Sequence, residues 1–217
     1  MTHNLHNSDL SEFVKFIFEH PLANQEQDEK PWYWDDDLDL DFNPTEILAL
    51  YEKLFSEPVF LLNKYSEELL EQGFWAMQSC LLPCSVAELI WDVQVSRELR
   101  KKVVFSMPSL YGKLFALNPL ETSSNMWWDS IAYGFYCGNK SRDRSEEEKE
   151  MQDAIFEALD KILQLESLDC QIAALHGLGH LRHPDTEILI NKYLESNSKI
   201  DSEIRKYAIS CISGEIQ

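Results

Sequence analysis

The sequence has few glycines, no long apolar run and no extended run of alternating apolar and polar residues. Only 7 glycines occur in 217 residues, and the absence of extended period-2 segments argues against a β-sandwich or a β-barrel. The longest apolar runs, such as residues 59–62, are far shorter than the roughly 20 residues that a membrane-spanning helix needs. The first residues also lack the basic and apolar regions of a signal peptide. We therefore expect a cytoplasmic protein that makes no membrane contact.

Cysteine is also sparse. The five cysteines are an odd number in a chain of this size, which suits reduced thiols on apolar faces better than a disulfide framework. Cys80 and Cys84 are the closest pair, but they lack the CxxC spacing, and Pro83 lies between them. This spacing argues against a redox or zinc-binding role for the pair.

Basic residues are half as numerous as acidic ones. The chain has 19 Lys and Arg against 38 Asp and Glu, for a formal net charge of −19. Nucleic acid is therefore an unsuitable ligand, because phosphate binding requires clustered positive charge. The charge is uneven, since residues 1–60 contain 14 acidic and 3 basic residues, which leaves −11 there and −8 in the rest of the chain.

The most acidic stretch lies within residues 22–42, which we call the acidic aromatic segment. It interleaves aromatic rings with aspartates, and its proposed partner-binding residues are Trp32, Trp34, Asp35, Asp36, Asp37, Asp39 and Asp41. Such a segment needs a cationic surface. One alternative is a clasp within the chain, on the basic cluster Arg97, Arg100, Lys101 and Lys102. The other is a basic protein partner, with electrostatic steering and aromatic anchors.

The remaining residues favour an all-α fold of nine to eleven helices in a single helical domain spanning residues 1–217. Apolar residues recur at helical spacing in most of the chain, and Asn43-Pro44-Thr45-Glu46 has the features of an N-cap, a first-turn proline and a capping box. Residues 96–115 contain one long helix or one that breaks at Pro108. Irregular stretches are expected at residues 22–42, 118–125 and 138–144.

One helix near the carboxyl terminus is built mostly from small residues. Its apolar stripe consists of Cys170, Ala173, Ala174, Gly177, Leu178 and Leu181. Small residues let a neighbouring helix approach closely, which must offset the roughly 1 kcal/mol that each glycine costs in a helix. Pro184 then ends the helical geometry at His183, and two further short helices follow.

This segment resembles a HEAT-like repeat of the short Ala-Leu-Gly type. Ala174, Leu175, Leu178, Gly179, Pro184, Asp185 and Leu189 fit that pattern, and Arg205 and Ala208 suggest the start of a second unit 34 residues later. The chain also resembles an uncharacterised bacterial family through the strings MWWD (residues 126–129), QGFW (72–75) and CQ-x-x-ALHGLGH (170–180). The resemblance implies a HEAT-like α-solenoid or an irregular array of helix pairs, clearest in residues 145–217, and implies no activity.

His176, His180 and His183 are the strongest candidates for chemistry, because imidazoles four residues apart on a helix can bind one metal ion. A complete site needs a third ligand, often a carboxylate, and none is apparent from spacing. The glutamate of HExxH is absent, since Gly177 follows His176. We therefore expect His176 and His180 to lie between helices and to bond backbone groups or acids of a neighbouring helix, and we expect no cofactor.

These observations predict a non-catalytic helical-repeat protein that binds a basic protein partner. A bacterial immunity or inhibitor protein is one version of this hypothesis, by analogy of charge and size. The alternatives are a metal-dependent enzyme that uses His176 and His180, and a structural subunit of a larger assembly.

Overall fold

The computed structural model describes residues 2–23, 29–120 and 122–216 and is mostly helical, as predicted. No helix in this part of the chain is both long and apolar enough to cross a bilayer. Ten α-helices lie in the described part: α1 (Leu10–Phe18), α2 (Pro44–Ser56), α3 (Glu67–Gln78), α4 (Val86–Leu89), α5 (Arg97–Leu110), α6 (Trp127–Tyr136), α7 (Glu146–Leu163), α8 (Leu168–Leu181), α9 (Thr186–Ser196) and α10 (Ser202–Ser213). Short 3₁₀ turns occupy Trp32–Trp34 and Pro58–Asn63.

Helix starts follow the caps that the sequence indicates. The Asn43 side chain accepts hydrogen bonds from the backbone N–H groups of Thr45 and Glu46 at the start of α2. In a capping box the Glu46 carboxylate would accept the backbone N–H of Asn43. Here it accepts the backbone N–H of Asn7 instead, at 3.0 Å. Glu46 therefore connects the amino-terminal turn to α2. Helix α5 runs through Pro108 and continues into a π-helical turn at Tyr111–Phe115.

The mostly helical fold also contains one small sheet that the sequence analysis did not predict. β1 (Thr2–Asn4) and β2 (Asp39–Asp41) form a two-stranded parallel sheet, with His3 opposite Leu40. β2 lies within residues 37–42, where aspartates alternate with apolar residues, but β1 has only three residues and shows no such pattern. The sheet holds the end of the acidic aromatic segment against the amino terminus.

Helix α8 lies at the centre of the carboxyl-terminal half and packs against α6, α7 and α10. Every residue from Ala173 to Leu181 is buried, so the helix is enclosed on all sides and not only along its small-residue stripe. A Cβ at Gly177 would lie 2.7 Å from atoms of both Leu159 and Trp128. This close approach confirms the role predicted for the small residues.

The connection from α8 to α9 also follows the prediction. Helix α8 ends at Leu181, Arg182 adopts a left-handed conformation with φ of 51°, and His183 lies outside the helix. Helices α9 and α10 then follow as the two short helices expected after Pro184. Their assignment to stacked HEAT-like repeats stays a prediction.

Candidate functional site

The acidic aromatic segment is only partly free for a partner. The Trp32 ring stacks on His20 at 3.8 Å between ring centroids and meets Phe16 edge-on, and Tyr33 is buried. Trp34, by contrast, is 46% exposed. One of the two proposed tryptophan anchors is therefore occupied by contacts within the chain.

The aspartates of this segment divide between a turn and β2. Asp35, Asp36 and Asp37 are exposed, and the Asp35 carboxylate accepts the backbone N–H of Asp37. Asp39 and Asp41 lie at the two ends of β2, where the Asp41 carboxylate is 2.9 Å from His6 Nε2. The structure thus leaves Trp34 beside three exposed aspartates.

The clasp on the basic cluster is not what the structure shows. Arg97 pairs with Glu150 at 3.3 Å, and Arg100, only 3% exposed, pairs with Glu147 at 2.6 Å. Lys101 also pairs with Glu150, while Lys102 pairs with Glu52 on α2. The basic residues lie on α5, which packs against α7 and α2, so acids of those two helices neutralise the cluster. This pairing role of the glutamates at the start of α7 was not predicted from the sequence.

The structure brings His176 and His180 together with an aspartate from another helix. Asp129 lies in the first turn of α6, and both histidines lie on the face of α8 that contacts α6. Asp129 Oδ1 is 2.6 Å from His176 Nε2 and 2.9 Å from His180 Nε2, and the two nitrogens are 3.0 Å apart. The expected contact with an acid of a neighbouring helix is therefore confirmed.

The surroundings keep the aspartate ionised. Burial alone would raise the pKa of Asp129, but hydrogen bonds and charge from His176 and His180 outweigh it and lower the pKa to about 2. The histidine side chains are 9% and 8% exposed, whereas the Asp129 side chain is 29% exposed. The cluster is thus enclosed except on the side of the carboxylate.

Helix α10 supplies a contact to the second nitrogen of His176. Nδ1 of this ring is 2.6 Å from the hydroxyl oxygen of Tyr207, and burial raises the pKa of that phenol, which keeps it protonated. Nδ1 of His180 has no hydrogen-bond partner among the described atoms. One ring is therefore oriented by a neighbouring residue, and the other by its Nε2 contacts and by Tyr133 and Tyr136 at its edges.

His183 belongs to a different arrangement. Its Nε2 is 2.9 Å from the Asp153 carboxylate on α7, its Nδ1 accepts the backbone N–H of Asp185, and its ring stacks on Phe156. The third histidine of the sequence pattern thus connects α7 to the turn before α9 and takes no part in the cluster.

Comparison with known proteins adds no further assignment. No protein-family model, curated protein or solved structure matches this chain. The geometry of the chain's own residues must therefore support any functional proposal.

Among the described residues, Asp129, His176 and His180 form the group of side chains that could hold a metal ion, with their ligand atoms all within 4.8 Å of one another. Asp129 is the member of this group that helical spacing did not reveal. One feature of the sequence could have indicated Asp129: it is the only acidic residue in the aromatic-rich residues 127–136. We refer to these three residues as the His₂Asp cluster.

Proposed function

We propose that this chain binds one divalent first-row transition-metal ion through Asp129, His176 and His180. The observation that supports this proposal is the convergence of two imidazole nitrogens and one carboxylate oxygen within 2.6–3.0 Å of one another. Imidazole with carboxylate is a ligand set that suits iron, zinc and the other ions of this row.

Hydrogen bonds among Asp129, His176 and His180 cannot satisfy all three close atoms well. If both Nε2 atoms donate to Asp129 Oδ1, two N–H groups lie side by side with their nitrogens only 3.0 Å apart. If one imidazole instead donates to the other, the carboxylate loses one of its two donors. A cation between the three atoms removes the conflict, because each atom then contributes a lone pair.

The protonation states also support metal binding. Asp129, with a pKa of about 2, is ionised at neutral pH, and ligands must be deprotonated to coordinate. When His176 binds through Nε2, its proton resides on Nδ1 and is donated to the Tyr207 oxygen 2.6 Å away. Such a partner fixes the tautomer and orientation of a metal-ligating histidine.

Metal titration of protein purified without a histidine tag tests the proposal. After chelator treatment, we expect Mn²⁺, Fe²⁺, Co²⁺, Ni²⁺ or Zn²⁺ to bind with one site per chain in a competition assay against a chromophoric chelator. His176→Gln and His180→Gln should each weaken binding by about 100-fold or more, since each removes one of three ligands.

His183→Gln is the matched control, because this histidine is equally buried and equally paired with an aspartate but lies outside the cluster. It should bind metal as the unaltered protein does. Failure to bind any of these ions stoichiometrically, or equal binding by His176→Gln, would contradict the proposal. Circular dichroism of each variant confirms that the helices are retained.

A second function, binding of a basic protein, is favoured by one observation. Trp34 is 46% exposed beside Asp35, Asp36 and Asp37, all exposed, on a chain with net charge −19. Long-range attraction would steer a basic partner, and the indole would supply buried area. The inhibitor or immunity role is a version of this proposal that rests on analogy.

A retention experiment with a charge-matched control tests this second function. Replacing Asp35, Asp36 and Asp37 by Asn should abolish retention of a basic partner, whereas replacing the exposed Glu187, Glu195 and Glu203 by Gln removes the same charge elsewhere and should preserve it. Equal loss in both triple variants would indicate net charge alone, and the acidic aromatic segment would then not be the binding surface.

A further inference from the structure

The spacing of the three ligand atoms in the His₂Asp cluster indicates how an ion would be coordinated. The three edges of the triangle measure 2.6, 2.9 and 3.0 Å. With metal–ligand bonds of about 2.0–2.1 Å, adjacent ligands are about 2.9 Å apart around an octahedral ion and about 3.3–3.4 Å apart around a tetrahedral one. All three observed edges are closer to the octahedral spacing than to the tetrahedral one.

On the basis of the metal binding proposed above, we propose that the ion is six-coordinate, with Asp129, His176 and His180 on one face and three adjacent positions open to small oxygen-donor ligands. Two histidines and one carboxylate on one face are the ligand arrangement of metal centres that bind exogenous ligands directly. A structural zinc site instead has all four positions filled by protein.

Within the described part of the chain, no fourth His, Cys, Asp or Glu side chain joins this group. The group of convergent side chains contains three residues. The Tyr207 hydroxyl lies against the Nδ1 atom of His176, on the side of the ring away from the cluster. His183 is bonded to Asp153. The opposite face of the ion is therefore left to water or to an exogenous ligand.

The exposure of the cluster shows where such a ligand enters. The Asp129 side chain is 29% exposed, against 9% and 8% for the two histidines, so the cluster opens on the side of the carboxylate. Tyr133, which is 48% exposed, and Tyr136 lie beside His180, with centroid distances of 5.6 and 5.2 Å. The entrance is thus bordered by aromatic rings on α6.

Charge identifies the chemical class of the ligand. A divalent ion with one carboxylate and two neutral imidazoles has a net charge of +1, and an anion that coordinates it neutralises this charge in a partly enclosed site. A chelating dicarboxylate or a similar oxyanion could occupy two of the three open positions. Oxalate, which is small and binds through two oxygens, is the probe for this geometry.

Cobalt substitution tests the proposal, because the absorption spectrum of Co²⁺ reports its coordination number. We expect the cobalt-loaded protein to show the weak visible bands of a six-coordinate ion, and we expect oxalate to change them saturably with one equivalent per ion. The control His183→Gln should respond in the same way as the unaltered protein.

The outcomes separate the two proposals. Intense visible bands of tetrahedral cobalt that oxalate leaves unchanged would overturn the open six-coordinate site and leave metal binding intact. Failure of cobalt to bind while another of the five ions binds would overturn only this inference, whose open site must accept Co²⁺. Failure of all five ions to bind would overturn metal binding as well. A six-coordinate spectrum without any response to oxalate would also overturn the inference, since the remaining positions would then not be open to an exogenous ligand.

Discussion

At the scale of single residues, Tyr207 would orient the His176 ring for metal binding. Its hydroxyl oxygen is 2.6 Å from His176 Nδ1. Tyr207→Phe removes this contact and leaves the ring, and removal of such an outer partner costs about 10–100-fold in metal affinity. We therefore expect zinc or cobalt affinity to fall by that factor, as measured by competition with a chromophoric chelator.

Tyr193→Phe is the matched control for this change. The Tyr193 hydroxyl donates a hydrogen bond of 2.7 Å to Gln171 on the adjacent helix, so the same chemical group is deleted away from the cluster. Its metal affinity should be unaltered. An equal decrease in both variants would mean that loss of helix packing, and not orientation of His176, causes the effect.

The cluster shows which part of a site local sequence patterns can reveal. His176 and His180 are four residues apart, so helical periodicity places them on one face. Asp129 is 47 residues before His176 and lies on a different helix. Its contact depends on how α6 packs against α8, and no pattern of helical spacing contains that information. Helical spacing thus indicates two members of the cluster, and the packing of α6 on α8 adds the third.

At the scale of elements, the α6–α8 contact sets the distances within the cluster. Gly177 on α8 packs against Trp128 on α6. Gly177 follows His176 in the sequence and Trp128 precedes Asp129, so each residue of this packing contact is next to a member of the His₂Asp cluster. A Cβ at position 177 would lie 2.7 Å from the Trp128 ring and from Leu159. Trp128 and Leu159 are both fully buried, which leaves no room for their side chains to move away.

Gly177→Ala should therefore destabilise the protein and weaken metal binding together. Overpacking costs about 1–3 kcal/mol, of which the higher helix propensity of alanine recovers up to about 1 kcal/mol. We expect the free energy of unfolding, measured by chemical denaturation, to fall by about 1–2 kcal/mol, and zinc binding to weaken with it. Gly112→Ala is the control, because its Cβ would meet Leu165 at 3.4 Å, an ordinary contact. Unchanged stability in Gly177→Ala would contradict this account of the helix contact.

Helix starts could be predicted from the sequence because a cap depends on neighbouring residues. Contacts between distant segments could not be predicted in this way. Asn43, Ser66 and Ser145 cap α2, α3 and α7 as their residue types indicate. The β1–β2 pair joins residues 37 positions apart through backbone bonds, and the short alternation in residues 37–42 does not indicate which segment pairs with it. The pairing of the basic cluster with α7 and α2 likewise depends on packing between distant segments.

At the scale of the whole molecule, the net charge of −19 means that any divalent cation affects the stability of the folded protein. Excess negative charge destabilises a compact chain through self-repulsion. Divalent cations therefore stabilise such a protein slightly by screening, whether or not it has a specific site. A test of metal-linked stability has to separate this general effect from binding at the His₂Asp cluster.

Thermal unfolding in the presence of metal makes that separation. A ligand at about 100 times its Kd stabilises the folded state by about 2.7 kcal/mol, and for a chain of this size each kcal/mol raises Tm by about 2–4 °C. We expect Zn²⁺ or Co²⁺ to raise Tm by about 5–10 °C in the unaltered protein and in His183→Gln. Mg²⁺ at the same concentration should raise it far less, because it binds imidazole poorly. The double variant His176→Gln, His180→Gln should respond to Zn²⁺ only as it responds to Mg²⁺, and a full rise of Tm in that variant would show that the stabilising ion binds elsewhere.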